Sequence, residues 1–101
     1  MAKFTTRVQL NGYPSAEDYE NLHKAMKKRG FSRIIEGDDG KKYWLPHAEY
    51  NRVAEVARAK VLNDAQAAAA TVSTDYEIIV TEGTRSWYGL KSATDAEVAT
   101  T

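Results

Sequence analysis

The chain has 101 residues, with 14 basic and 14 acidic side chains and no cysteine. This length suits one domain with a single core, and the lack of cysteine excludes disulfides, thiolate metal sites and cysteine nucleophiles. Zero net charge excludes a global field that would attract nucleic acid. No stretch approaches the roughly 18 apolar residues of a membrane-spanning helix, and the N-terminus lacks a signal-type apolar segment, so we expect a cytoplasmic protein without membrane contact.

The first element is a strand, because apolar and polar residues alternate over residues 3–10. A helix follows, since Ser15 stands three residues before Asp18, as in a capping box. Apolar residues at spacings of three and four then form one stripe that predicts cover for a sheet: Tyr19, Leu22 and Met26. Gly30 is placed to end the helix.

A hairpin is predicted over residues 31–45, because a Gly-Asp-Asp-Gly cluster separates two strand-forming runs. Pro46 interrupts the second run. We expect the strand to resume over residues 48–52 and to pair with residues 32–36.

The second helix is expected to start near Ala57. Val61, Ala65 and Ala68 share one stripe, whereas Val56 would lie roughly 160° from its centre, which argues against a helix that begins at residue 47. A short apolar run predicts a last strand over residues 77–81.

Residues 83–90 could add a short edge strand, and the polar tail of residues 91–101 is expected to be disordered, which leaves residues 1–90 as the domain. The predicted core contains four apolar residues: Leu22, Met26, Val61 and Ile78. The element order βαββαβ predicts an α+β fold, a ferredoxin-like sandwich of two helices on an antiparallel sheet.

Residues 24–42 hold seven basic and three acidic side chains. Such a patch beside aromatic residues can follow a phosphate backbone, and Trp44 or Tyr43 offers a stacking face for a base. The predicted nucleic-acid contacts are five basic residues: Lys24, Lys27, Lys28, Arg29 and Arg33. The alternative interpretation is a solvated helix face whose basic residues complement the helix dipole.

His23 is the candidate catalytic residue, because an imidazole titrates near neutrality and can act as general acid or base in RNA cleavage. The alternative is a boundary residue with a satisfied hydrogen bond. Asp38 and Asp39 resemble a carboxylate pair, but their Gly-flanked position is explained by turn chemistry. No metal site and no cofactor are predicted.

Short motifs in this order resemble the GhoS-type antitoxins of type V toxin–antitoxin systems. The motifs are Tyr13-Pro14-Ser15, Leu22-x-x-x-Met26, Phe31-Ser32, Ile34-Ile35 and a Gly-containing turn before Leu45. The resemblance implies a ferredoxin-like endoribonuclease that cleaves the messenger RNA of its toxin, and the predicted partner is single-stranded RNA. Two positions differ: the family's helix arginine falls on His23 and Lys24, and its acidic residue after the first strand falls on Asn11 or Gly12.

A second hypothesis is a non-enzymatic interaction protein, such as an inhibitor or regulator of phage or prophage origin. It would offer a sheet edge or the Trp87-Tyr88 segment to a protein partner or to a second copy of the chain.

Overall fold

The computed structural model describes all residues from 1 to 101. The chain forms five strands and three helices, in this order: β1 Ala2–Leu10, α1 Ala16–Lys28, β2 Ile34–Glu36, β3 Lys42–Trp44, β4 Glu49–Ala54, α2 Arg58–Ala70, β5 Tyr76–Glu82 and α3 Asp95–Thr100. It is an α+β fold in which α1 and α2 pack on an antiparallel sheet of order β4-β1-β5. None of the helices has the length and apolar character needed to cross a membrane.

The central strand β1 has an antiparallel partner on each side, which explains its strict alternation. Its buried residues all point to the helical layer: Phe4, Thr6, Val8 and Leu10. The opposite face carries Arg7 and Gln9, which are exposed. The strand therefore begins close to its predicted start and shows the predicted period of two.

Helix α1 has both predicted ends. The Ser15 hydroxyl accepts a hydrogen bond from the Asp18 amide at 3.1 Å, and the Asp18 carboxylate accepts one from the Ser15 amide at 2.9 Å, which completes the capping box. At the other end Gly30 has φ +92°, and the amide of Phe31 donates to the Met26 carbonyl at 3.1 Å. This is a Schellman end, in which glycine takes the left-handed position at no steric cost.

Helix α2 begins after Ala57, which confirms the predicted start and excludes a helix from residue 47. Its buried residues are Val61, Ala65, Ala68 and Ala69. Because three of these four are alanines, the helix backbone can lie close to the sheet.

Leu22, Met26 and Val61 are completely buried, as predicted. Ile78 packs against the core but is only partly buried. The reason is its position on β5, which forms an outer edge of the sheet and so has a neighbouring strand on one side only.

The predicted pairing of residues 48–52 with 32–36 is wrong except for one bridge, Ser32 to Asn51. Strand β2 pairs with β3 instead, and β4 pairs with β1 in a register that sets Glu49 opposite Arg7. The chain turns between the two strands at Pro46 and Ala48, and Ala48 has φ +78°. This turn releases the chain from the hairpin and directs it to the open edge of β1.

The structure also differs from the expected end of the chain. Residues 83–90 form no strand, and the tail is ordered: Ser92 bridges Tyr43, and residues 95–100 form α3. The Trp44 amide donates to the Lys91 carbonyl at 2.8 Å, and the Ala93 amide donates to the Lys42 carbonyl at 2.9 Å. These bonds satisfy the free edge of β3 through backbone groups, which requires no apolar side chains.

Candidate nucleic-acid interface

A cavity of about 540 Å³ lies between α1, the β2–β3 hairpin and the end of α3. Phe31 and Tyr50 are buried and form its base. His23, Arg33 and Trp44 are half-buried residues in its lining. The exposed side chains of α1 at its border are Glu20, Lys24 and Lys27. Among the side chains around the cavity, three are cations, Lys24, Lys27 and Arg33, and one is a carboxylate, Glu20, so the balance of the side chains is positive.

The cavity brings together four of the six predicted site residues: His23, Lys24, Lys27 and Arg33. Lys28 and Arg29 do not line it. They face a groove between α1 and α2 instead, and Arg29 lies 3.9 Å from the Asp64 carboxylate. Adjacent helical residues are turned by about 100°, so a continuous basic run cannot point to one ligand.

Arg33 is held by the connection between β3 and β4. Its guanidinium donates to the carbonyls of Pro46, Glu49 and Leu45 at 2.7, 2.6 and 3.0 Å. It also lies 5.7 Å from the centre of the Tyr50 ring, in cation–π geometry. Burial lowers the pKa of Arg33 from its ordinary value, but a guanidinium remains charged. Arg33 is therefore a fixed positive charge with most of its donors already used.

His23 is positioned by Tyr50. The imidazole Nδ1 lies 2.6 Å from the Tyr50 hydroxyl, which has no other hydrogen-bond partner. A buried hydroxyl hydrogen needs an acceptor, so the hydroxyl donates to Nδ1 and the ring hydrogen of neutral His23 is on Nε2. His23 is half-buried and lines the cavity, so the Nε2 hydrogen is the donor that the ring keeps for a ligand.

The pKa of His23 is lowered to about 4, first by burial and then by electrostatic repulsion from Arg33 and from the neighbouring His47. Burial likewise raises the pKa of the Tyr50 hydroxyl above its ordinary value. Both groups are therefore neutral at pH 7. A neutral imidazole with hydrogen on Nε2 can donate a hydrogen bond to a ligand oxygen, but this tautomer lacks the free Nε2 lone pair that a general base needs.

Further aromatic contacts fix the surroundings of His23. The Tyr19 and His47 rings lie with centres 4.3 Å apart and planes inclined by 56°, and His47 lies edge-on to His23 at 5.5 Å. The Tyr19 hydroxyl accepts a hydrogen bond from the Leu10 amide at 3.0 Å, which ties this cluster to β1. Sequence reasoning missed the role of Tyr50. Its one available signal was the alternation with Ala48, which places both residues on a buried face.

The two candidate stacking residues lie in different places. Trp44 lines the cavity, whereas the Tyr43 ring packs on Trp87 with centres 5.9 Å apart. Since neighbouring strand residues point to opposite faces, only one of them can serve this cavity. In the hairpin turn the Asp39 carboxylate accepts a hydrogen bond from the Lys41 amide at 2.9 Å, which is a turn contact.

Comparison of the sequence with protein-family models and with curated proteins finds no match.

Proposed function

We propose that this chain binds single-stranded RNA, with one nucleotide in the cavity between α1 and the hairpin. The observation that carries this proposal is the meeting of three kinds of group around one cavity. Lys24 and Lys27 supply mobile ammonium groups, Trp44 supplies an aromatic face, and His23 supplies a fixed N–H donor. Ammonium groups bind phosphate, an aromatic face stacks on a base, and an N–H group donates to a sugar or carbonyl oxygen.

The cavity volume and the state of its cations support this assignment. About 540 Å³ falls within the range of small-ligand sites and suits one nucleotide. Lys24 and Lys27 form no ion pair in the structure, so a phosphate does not have to displace a carboxylate. A base can stack on Trp44 only if it leaves its neighbours, which favours single strands over duplex.

The fold is consistent with a ferredoxin-like assignment. If β3 and β4 are two halves of one strand broken at Pro46, the order becomes βαββαβ, with α1 and α2 on the same side of the sheet. The resemblance to the GhoS-type antitoxins then adds a reason to choose RNA over other ligands that contain phosphate.

Cleavage of RNA is a separate step, and the geometry supports it less than binding. A general base at His23 would need hydrogen on Nδ1, which would leave the buried Tyr50 hydroxyl without an acceptor. We therefore propose that His23 contributes to binding as a donor. The endoribonuclease role that the resemblance implies would require a rearrangement of the His23–Tyr50 pair.

The test is the binding of a fluorescent single-stranded oligoribonucleotide over a series of salt concentrations. Reversal of Lys24 and Lys27 to Glu should weaken binding at least about tenfold and should reduce the salt slope by about one to two. The matched control reverses Lys28 and Lys41, which are also exposed lysines but lie outside the cavity lining. It changes the net charge by the same amount and should have a much smaller effect.

Trp44→Ala should weaken binding by about 1–3 kcal/mol with an unchanged salt slope, because it removes stacking and no charge. His23→Ala separates the two roles: loss of affinity supports the donor, and loss of cleavage at unchanged affinity supports the catalytic role. If reversal of the two lysine pairs weakened binding equally, the RNA site would not be in this cavity. Absence of any RNA binding at low salt would defeat the proposal.

One observation favours the competing function, a protein-binding module without enzymatic activity. Tyr88 is completely exposed beside the half-buried Trp87, and an exposed aromatic residue of this kind is typical of contact surfaces. The RNA titration decides between the two functions.

A further inference from the structure

Strand β5 is an unprotected edge. It runs for seven residues, Tyr76–Glu82, and pairs with β1 along one side only. Its sequence has no proline, lysine or bulge, which are among the means by which natural proteins block an edge strand, and its two charged residues, Glu77 and Glu82, lie away from its centre. At its centre Ile79 is 64% exposed on the sheet face opposite the helices. An edge with these properties is suited to pairing with another strand.

The hydrogen bonds at the two ends of β5 show which backbone groups are free. The Gly83 amide donates to the Lys3 carbonyl, and the Asp75 carbonyl accepts from the Asn11 amide. Along a strand, the backbone N–H and C=O groups of successive residues point alternately to the two sides. The backbone groups of the odd-numbered residues of β5 therefore point to β1. The N–H and C=O groups of the even-numbered residues therefore point outward: Tyr76, Ile78, Val80 and Glu82.

We propose that a second copy of this chain pairs with β5 in antiparallel orientation, with the two-fold axis at Ile79. In this register Tyr76 meets Glu82 and Ile78 meets Val80, so the outward backbone groups of each strand bond to those of the other. Ile79 then faces Ile79 of the second copy in a non-hydrogen-bonded pair, the position where opposite side chains lie closest.

The choice of a second copy rests on complementarity. A two-fold axis at Ile79 is the register that pairs all seven residues of the strand, and it sets Glu77 opposite Thr81, so that no carboxylate faces another. The chain has zero net charge, so two copies do not repel each other. The pairing also covers Ile79 and adds burial to Ile78 and Val80, which are partly buried in one chain.

Helix α2, on the other face of the sheet, carries a second exposed apolar residue near the β5 edge. Leu62 is 41% exposed and lies about 200° around the helix from Asp64, which approaches Arg29 at the end of α1. Leu62 is thus on the side turned away from α1, and α2 packs on β5. The side-by-side arrangement of two sheets would bring the two α2 helices into proximity beneath the new strand pair.

The interface is independent of the proposed RNA site. The cavity is formed by α1, the hairpin and β4, whereas β5 is the opposite edge of the three-stranded sheet. A variant that separates the copies should therefore leave the affinity of one chain for a short oligoribonucleotide unchanged.

The first test is the mass in solution over a concentration series, by sedimentation or light scattering. The wild-type chain should reach twice the mass of one chain. Ile79→Lys should raise the dissociation constant at least about tenfold, because two ammonium groups would meet at the axis. Val53→Lys is the matched control: Val53 is 43% exposed on β4, at the other edge, and its variant should stay dimeric.

A second test uses the absence of native cysteine. Under mild oxidation Ile79→Cys should form a disulfide between two copies, whereas Val53→Cys should not. In hydrogen exchange of the wild-type chain, the amides of Ile78 and Val80 should become protected as concentration rises. The amide of Ile79 faces β1 and should be protected at every concentration.

A wild-type chain that remains monomeric at every concentration would overturn the proposal. A dimer that survives Ile79→Lys, or equal crosslinking of the two cysteine variants, would also overturn it, since the contact would then lie elsewhere.

Discussion

Asp64 is the centre of an ion network between α2 and β4. Its carboxylate accepts from the Arg52 guanidinium at 2.8 Å and from the Lys60 ammonium at 3.1 Å. Burial acts to raise the pKa of Asp64, but the hydrogen bonds from Arg52 and Lys60 outweigh it and hold the pKa below its ordinary value. Asp64→Asn keeps the size of the side chain and removes its charge, which leaves Arg52 without a counter-ion.

The expected loss of unfolding free energy follows from burial. Removing one partner of a fully buried pair costs about 3–5 kcal/mol, and we expect about 2–3 kcal/mol here because some solvent reaches both side chains. Their exposed fractions are 12% for Arg52 and 13% for Asp64. Lys60 is 59% exposed, so its removal in Lys60→Ala should cost less than about 0.5 kcal/mol.

Urea unfolding followed by tryptophan fluorescence measures both variants. The folded-state pKa of Asp64 is below its unfolded value of 3.8, so its contribution is fully present above pH 3.8 and is lost as pH falls through the folded pKa. The difference between wild type and Asp64→Asn should therefore shrink under strongly acidic conditions. A loss that persists there unchanged, or a loss at pH 7 no larger than that of Lys60→Ala, would refute the reasoning.

Three further outcomes are expected. The unfolded chain binds a proton at His23 near pH 6.5 and the folded chain only near 4, so stability should fall between these values as pH decreases. The loss should be about 1–2 kcal/mol after allowance for solvent at this half-buried ring, and His23→Gln should remove this part of the pH profile. Leu22→Ala should cost about 2–5 kcal/mol in urea unfolding, because the side chain is completely buried. Truncation after Leu90 should cost about 1–3 kcal/mol in thermal unfolding, since two backbone bonds to β3 are lost; an unchanged melting temperature would show that the tail contributes nothing.

Local chemistry explains which elements could be predicted. The two ends of α1 are each set by residues within a few positions of one another, Ser15 with Asp18 and Gly30 with Phe31. The start of α2 could be predicted because each helical residue is turned by about 100° from the one before it. This angle would place Val56 on the side of the helix away from the apolar stripe. Such signals do not depend on what the rest of the chain does.

The errors have a different origin. Residues 48–52 have the alternating pattern of a strand, but this pattern does not specify the partner strand. The left-handed turn at Ala48 directs the chain to β1, so these residues pair with β1 and not with β2. The tail was expected to be disordered because it has few apolar side chains, yet its contact with β3 is made by backbone groups. Composition cannot reveal a contact of that kind.

The site was predictable to the extent that it lies on one helix. His23, Lys24 and Lys27 share a face of α1, which the sequence can show. The Tyr50 contact, which sets the tautomer of His23, depends on two residues that are far apart in the sequence. The three carbonyls that accept hydrogen bonds from Arg33 lie 12 to 16 residues further along the chain. The sequence therefore could not show that this guanidinium is already bound within the fold.

The break between β3 and β4 has a consequence for folding cooperativity. The β2–β3 hairpin meets the main sheet at the Ser32–Asn51 bridge. The Asn51 side-chain amide also donates to the Ile34 carbonyl at 3.1 Å, and Arg33 donates to the Glu49 carbonyl of β4. So few links make the hairpin a separate cooperative unit that can open while β4-β1-β5 stays intact. Its amides should exchange at a free energy below that of global unfolding. A ligand that contacts both Trp44 and His23 would link the hairpin to the rest of the domain. It would raise the free energy of local opening towards that of global unfolding, so binding in the cavity would make unfolding of the two units more cooperative.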